Sequence, residues 1–355
     1  GPTAFTARMR IGDPRRPDFL AERVQVRYRP RLSGIEVLSV TLRKPVLRAS
    51  YRGGKLGMGA LDPLVQEFLS RPPPPGAKLP RVQVDGGVLM LTSDYGPVRV
   101  TGDALIDDSQ LKTLNAVVAP TRLSGSGFAV ATGAATVRTA TRSGRFELSL
   151  SAPFASGAFG GVAAQGGQLT LGAQLPYPSL QAPRADGPVT ANLHIVSRRL
   201  VASGRELESA DLTATFNGQT AGWIPDLAVT GRATATLGAG AGRFAGGAAR
   251  AIRADLAAPD LRWTRKGGDR IAATVRLIGG AETATAGDLR LSALTLTAAG
   301  PMAADARGVT ADLTASALGR GGWTGLGAPT ATDTAEVAAV RRAARAFRIT
   351  APALS

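Results

Sequence analysis

The chain has 355 residues, a net charge of +16 and no cysteine, which excludes disulfides, thiolate metal sites and thiol nucleophiles. Its apolar fraction of 44% can bury a core, but much of it is alanine and only 5% of the chain is aromatic, so thin sheet packing is favoured over a thick core. The arginine-dominated charge reads either as an anion-binding surface or as the composition of a high-GC genome; no compact basic tract with interleaved aromatics marks a nucleic-acid face.

Along the chain, period-2 alternation dominates, the mark of antiparallel sheets with one apolar and one wet face. Val24, Val26 and Tyr28 alternate with Arg23, Gln25, Arg27 and Arg29. A glycine turn follows at Tyr51-Arg52-Gly53-Gly54. Asp62-Pro63 then opens a short helix, with Asp as N-cap and Pro at the first helical position, carrying Leu64, Val65, Phe68 and Leu69. The run Pro72 to Pro75, with Gly76 and Pro80, reads as a polyproline spacer. It divides the chain into an N-terminal β segment, 1–80, and a main β-groove, 81–355.

Beyond it, Asp85-Gly86-Gly87 and Gln165-Gly166-Gly167 are expected to be hairpin turns, as is Lys266-Gly267-Gly268-Asp269. Alternating strands include Phe146 to Ala152, Val189 to Ile195, Leu212 to Phe216, Ile271 to Leu277 and Val309 to Ala317. At Ser292-Ala293 the phase slips: Leu289 and Leu291 are odd, Leu294 and Leu296 even, which predicts a bulge or tight corner. A second helix spans about 334–347, with Val337, Val340, Ala344 and Phe347 on one face. Roughly twenty strands are expected, with no fixed repeat period. Helical crossovers of a parallel α/β fold are not evident.

Residues that suggest catalysis lack companions. His194, the single histidine, lies on the polar side of its strand with Thr190 and Asn192, so neither a Ser-His-Asp triad nor a standard zinc site can be assembled. Ser109-Gln110-Leu111-Lys112 spells S-x-x-K without its partner motifs. Gly240, Gly242 and Gly246, and again Gly319, Gly321 and Gly325, miss the dinucleotide spacing. Asp107 and Asp108 read as turn residues. Arg341, Arg342 and Arg345 on the last helix are either lipid-headgroup contacts or a solvated face. No catalytic residue, metal or cofactor is expected.

One stretch carries a resemblance. Val37 to Ala49 contains Lys44-Pro45, and is followed by Gly53-Gly54-Lys55-Leu56 and Leu61-Asp62-Pro63-Leu64. This strand, proline, strand, glycine turn and short helix resembles the opening repeat of AsmA-like proteins. Pro80 to Leu91 looks like their strand-turn-strand hairpin, echoed by Gly167-Gln168-Leu169-Thr170-Leu171. Arg345 to Pro352 looks like the helix-then-strand segment of the YdbH branch. The resemblance implies an all-β, elongated, antiparallel and curved groove, taco-like, with two short helices. It implies a Gram-negative envelope protein in the periplasm, anchored in the inner membrane, that transfers phospholipid. The chain opens Gly1-Pro2 and reads as a piece of a longer protein, whose other part would hold the anchor. Implied partners are phospholipid acyl chains and membrane proteins of both membranes, with no nucleic acid.

Apolar strand positions then become groove candidates: Val189, Leu193, Ile271, Val275, Leu277, Val309 and Leu313. The competing reading is a structural or outer-membrane-protein assembly scaffold, TamB-like, without lipid conduction.

Overall fold

The computed structural model describes residues 3–31, 34–70, 80–108, 110–177, 184–223, 226–266, 268–305, 308–323, 325, 327–345 and 347–354. Among these the fold is nearly all β, with 22 strands and two short helices. No helix among them is long and apolar enough to cross a membrane. The chain forms two compact units, Gly1–Gly160 and Gly161–Ser355. The proline-rich segment from Pro72 to Gly76 lies outside the described residues.

The first unit contains β1 (Thr3–Gly12), β2 (Pro17–Arg31), β3 (Gly34–Arg43), β4 (Val46–Arg52), β5 (Lys55–Gly57), α1 (Asp62–Ser70), β6 (Arg81–Ser93), β7 (Gly96–Asp107), β8 (Gln110–Val118), β9 (Thr121–Gly125), β10 (Phe128–Thr132), β11 (Ala135–Arg142) and β12 (Arg145–Phe159). Alternation in β2 places Val24 in the core, with Arg23, Gln25, Arg27 and Arg29 outside; Ala21, of the opposite parity, is buried too because the β1–β2 ladder shifts between them. The turn at Gly53-Gly54, with φ of 54° and 77°, joins β4 to β5, a conformation that glycine adopts without a Cβ penalty.

Two expectations need correction here. Asp85-Gly86-Gly87 is not a hairpin turn: β6 runs straight through it, and the ladder to β7 shifts there by one residue. Gly86 takes a φ of 63°, and its N–H donates to the Asp103 carboxylate of β7, Oδ1 at 2.7 Å, instead of to a backbone carbonyl of the ladder. Nor is the sheet purely antiparallel. β3 and β4 are consecutive pieces along β6, and both pair with it in parallel. They are separated at Lys44-Pro45, where proline can give no ladder bond and Lys44 has a φ of 45°. Parallel pairing requires a crossover, and the segment containing α1 supplies it, so the first helix is a connection rather than a decoration.

The second unit is a sequential meander of long strands: β13 (Val162–Pro176), β14 (Gly187–Ala202), β15 (Arg205–Ala221), β16 (Ala228–Phe244), β17 (Gly247–Thr264), β18 (Arg270–Ala286) and β19 (Leu289–Asp305). It continues through β20 (Gly308–Ala311), β21 (Thr314–Trp323), α2 (Ala335–Arg345) and β22 (Phe347–Leu354). The segment read as one strand from Val309 to Ala317 is in fact β20 and β21, separated at Asp312-Leu313, where Asp312 N–H donates to Pro301 O at 3.0 Å. The second helix stops at Arg345, so Phe347 belongs to a strand and not to the helix face. Thr334 caps its start, its Oγ1 accepting from Val337 N–H at 3.3 Å.

Gln165-Gly166-Gly167 is likewise not a turn but a kink inside β13. It belongs to a line that crosses the whole meander. Gly166, Ser209, Ala251 and Ala293 have φ of 56°, 53°, 50° and 52°, and recur about 42 residues apart, one in every second strand. This is a regular period that turn spacing in the sequence conceals. By register these residues stand side by side with Arg198, Gly240 and Glu282 between them, where each ladder omits a pair and the β15–β16 ladder two. A left-handed residue breaks strict alternation, so the apolar face changes from one parity to the other across the line. Ala210 and Leu212 lie inside on one side of it, Leu207 on the other. The phase slip read at Ser292-Ala293 is one member of this series.

Alanine and serine pay about 1–2 kcal/mol each for this conformation, while glycine pays only the smaller unfolded-state entropy. Ser209→Gly, Ala251→Gly and Ala293→Gly are therefore expected to stabilise, against the usual rule for glycine in strands. Combined, they should raise the unfolding midpoint by roughly 5 °C. Calorimetry checks this; a lowered midpoint would mean that the bend does not carry the strain.

Candidate functional site: an open apolar lining

Side-chain sizes decide the character of the second unit's inner face. Alternation brings Val189, Leu193, Ala214, Phe216, Ala233 and Ala235 to that face in β14 to β16. Its buried side chains are nearly all small: Ser197, Ala210, Ala239, Ala249, Ala258, Ala273 and Ala281, with Val189 and Val275 the larger exceptions. Among the described residues of the chain, no Leu, Ile, Phe, Met, Tyr or Trp is fully buried. A closed sandwich fills about 10 Å between layers with such side chains, and here they remain partly open.

A second bend shapes this face. Gly218 and Gly231 pair directly, and a Cβ on either would strike the opposite backbone and the Phe216 ring. Next to them the β17–β18 ladder shifts between Ala257 and Arg262. Asp260 repairs the gap: its Oδ1 accepts from Thr274 N–H at 2.7 Å and its Oδ2 from Thr274 Oγ1 at 2.9 Å. The bond from the Thr274 N–H, with that from its hydroxyl, holds the Asp260 carboxyl below its ordinary range. Leu261 then turns inward, out of step with Leu256.

Between the bends lies a cavity of about 330 Å³, lined by Leu193, Phe216, Ala235, Leu261, Val275 and Met302 among others. Two of its lining residues, Thr215 and Thr234, join their hydroxyls at 2.7 Å. Ile271 also lines it and is 40% exposed, so the space opens to solvent. Its volume falls at the lower end of small-molecule sites.

Of the candidates named from sequence, Leu193, Ile271 and Val275 meet at this cavity. Leu313 packs against the cluster of Ala258, Ala273 and Val275. Val189 is buried in β14. Leu277 is partly exposed and sits in register with Leu256. Val309 is 70% exposed on the short β20 and is outside the cavity lining. Phe216 already stood in a recognised alternating strand; Leu261 and Met302 follow Pro259-Asp260 and Gly300-Pro301, where the period-2 signal is interrupted.

Outside the lining, Arg341 is held by its own loop. Its Nε lies 3.3 Å from Asp333 Oδ2, and Nη1 donates to Ala328 O at 3.3 Å. The Thr330 N–H, and secondarily Arg341, keep the Asp333 carboxyl below its usual range. Arg342 is exposed; Arg345 ends α2, and its side chain lies outside the described residues. His194 Nε2 sits 2.9 Å from Asp211 Oδ1 on the outer surface. Ser109 lies outside the described residues. Asp107 and Asp108 form the β7–β8 turn, the Asp108 N–H donating to Asp107 Oδ1 at 3.0 Å. Gly240 and Gly242 are strand residues, Gly242 buried on the inner face, and Gly246 is at a hairpin tip. Gly319 and Gly321 lie within β21. Among the described residues, no three His, Asp or Glu side chains gather as a metal site. No family model, no curated protein and no solved structure matches this chain.

Proposed function

We propose that the inner face of the Gly161–Ser355 unit holds lipid acyl chains, and that the protein transfers phospholipid along it. The observation that carries this reading is the absence, among the described residues, of any fully buried large apolar side chain beside an open cavity lined by Leu193, Phe216, Leu261 and Met302. Apolar surface of this kind in water is unfavourable by about 25 cal/mol per Å², and an acyl chain covers it without asking for a hydrogen bond. On this reading the chain conducts and does not convert, and needs no nucleophile, metal or cofactor. The resemblance of its repeat pattern to AsmA-like proteins supports a site of action in the periplasm, between two membranes, with an anchor in the inner one.

A photocrosslinking residue at Leu193, on the lining, is expected to capture phospholipid when the protein is incubated with phosphatidylglycerol vesicles. The same residue at Thr236 should not, because Thr236 faces outward, its Oγ1 donating to Asp255 Oδ1 at 2.8 Å. Mass spectrometry of the adducts decides. Equal capture from both positions would mean that the sheet has no lipid-selective face, and capture from neither would favour a TamB-like assembly scaffold.

A further inference from the structure

We infer that one edge of the second unit is a membrane-docking lip, which seats the protein on an anionic bilayer surface. The edge is formed by the hairpin tips beyond the line of left-handed residues. Register places Val162, Ala202, Arg205, Phe244, Gly247, Ala286, Leu289 and Trp323 in one row across β13 to β19 and β21, the last residues of the inner face before the tips. Three of its large apolar members are open to solvent: Val162 is 45% exposed, Phe244 41% and Trp323 51%. Scattered apolar residues such as Val196, Ile278 and Leu318 are exposed on the outer face as well; what sets the lip apart is that its exposed apolar residues include two aromatic rings and share one row at the strand ends.

The arginines follow the same edge on the opposite face. Arg243 and Arg290 stand one residue back from the row, Arg250 and Arg320 three residues back. At about 3.3 Å per residue, these are depths of roughly 3 and 10 Å above the lip. Glu208 engages Arg243 at 3.3 Å, and Glu206 engages Arg199 at 2.7 Å. Asp288 supplies the carboxylate of the β18–β19 turn. Arg205, Arg250, Arg290 and Arg320 have no ion-pair partner among the described residues. An aromatic row with cations set a few ångströms behind it matches the order of layers at a bilayer surface, where rings sit at the interface and guanidinium groups reach phosphate. A nucleic acid would engage the arginines and leave Val162, Phe244 and Trp323 in water; a bilayer uses both sets. The lip also continues the lining, since its row and the row of Leu200, Leu207 and Leu291 behind it share the inner face.

Docking is independent of acyl-chain capture, and flotation reads it alone. The full chain is expected to float with vesicles of phosphatidylcholine containing phosphatidylglycerol, and at least tenfold less with phosphatidylcholine alone. Phe244→Ser combined with Trp323→Ser should reduce partitioning at least tenfold, with the circular dichroism spectrum unchanged, because both rings are half exposed. Replacing Arg205, Arg250, Arg290 and Arg320 by Gln should abolish the preference for anionic vesicles. Failure of the unmodified chain to float, or flotation of the aromatic variant at the unmodified level, would overturn the lip. So would a DNA duplex that binds more tightly than vesicles and is indifferent to the aromatic pair. The aromatic variant should still give the Leu193 crosslink with lipid supplied in detergent micelles, which separates loss of docking from loss of the cavity.

Discussion

Leu193→Asp is expected to reduce lipid capture by a crosslinker placed at Leu261 by at least a hundredfold. Both side chains line the same cavity, one from β14 and one from β17. An ionised carboxylate beside an acyl chain must either lose its water or keep that water in the cavity. Either choice costs several kcal/mol, and about 2.7 kcal/mol already corresponds to a hundredfold. The substitution should leave the fold intact, since Leu193 is only partly buried and the face is open, so the carboxylate reaches solvent when no lipid is bound. Leu193→Ala serves as the control, removing volume without adding charge, and should cost less than tenfold. Undiminished capture in Leu193→Asp, with an unchanged thermal midpoint, would show that acyl chains do not lie along this face.

Gly218→Val should be the most destabilising single change in the second unit. A Cβ there would overlap the carbonyl oxygen of Thr230 and come within 2.7 Å of Phe216 Cζ. The opposing Gly231 is constrained in the same way, with Phe216 Cζ at 2.8 Å. Backbone cannot yield as a flexible side chain would, so the strands must part and the ladder around Asn217 and Gly218 must open. The expected loss is about 3 kcal/mol, equivalent to a midpoint lowered by roughly 6–12 °C. Because Phe216 lines the cavity, the variant should also lose lipid capture in proportion. At Gly172, by contrast, an added Cβ would meet nothing within 4 Å, and Gly172→Ala should be nearly neutral. A Gly218→Val protein with an unchanged midpoint would mean that the two strands do not approach closely at this bend.

The sequence by itself determined the fold class, because period-2 alternation is a local property. Val24 and Val26 against Arg23 and Arg27, or Leu212 to Phe216, announce a half-buried strand wherever they are placed, and Asp62-Pro63 announces a helix start. It also gave the facing of Leu193 and Val275, and through Leu291 and Leu294 one member of the bend line. Only the tertiary structure decided what depends on partners distant in the chain. Asp85-Gly86-Gly87 and Gln165-Gly166-Gly167 have the composition of hairpin turns, yet both run through as strand. Glycine supplies the same positive φ to a turn and to a kink, and the neighbouring strand selects between them. Parallel pairing of β3 and β4 with β6 follows from where the chain returns after α1. The alignment of Gly166, Ser209, Ala251 and Ala293 into one line, and of Val162, Phe244 and Trp323 into one lip, requires the register of strands about 42 residues apart. Neither alanine nor serine carries any local mark of a left-handed backbone, so those positions are set by the ladders on both sides of them and not by their own side chains.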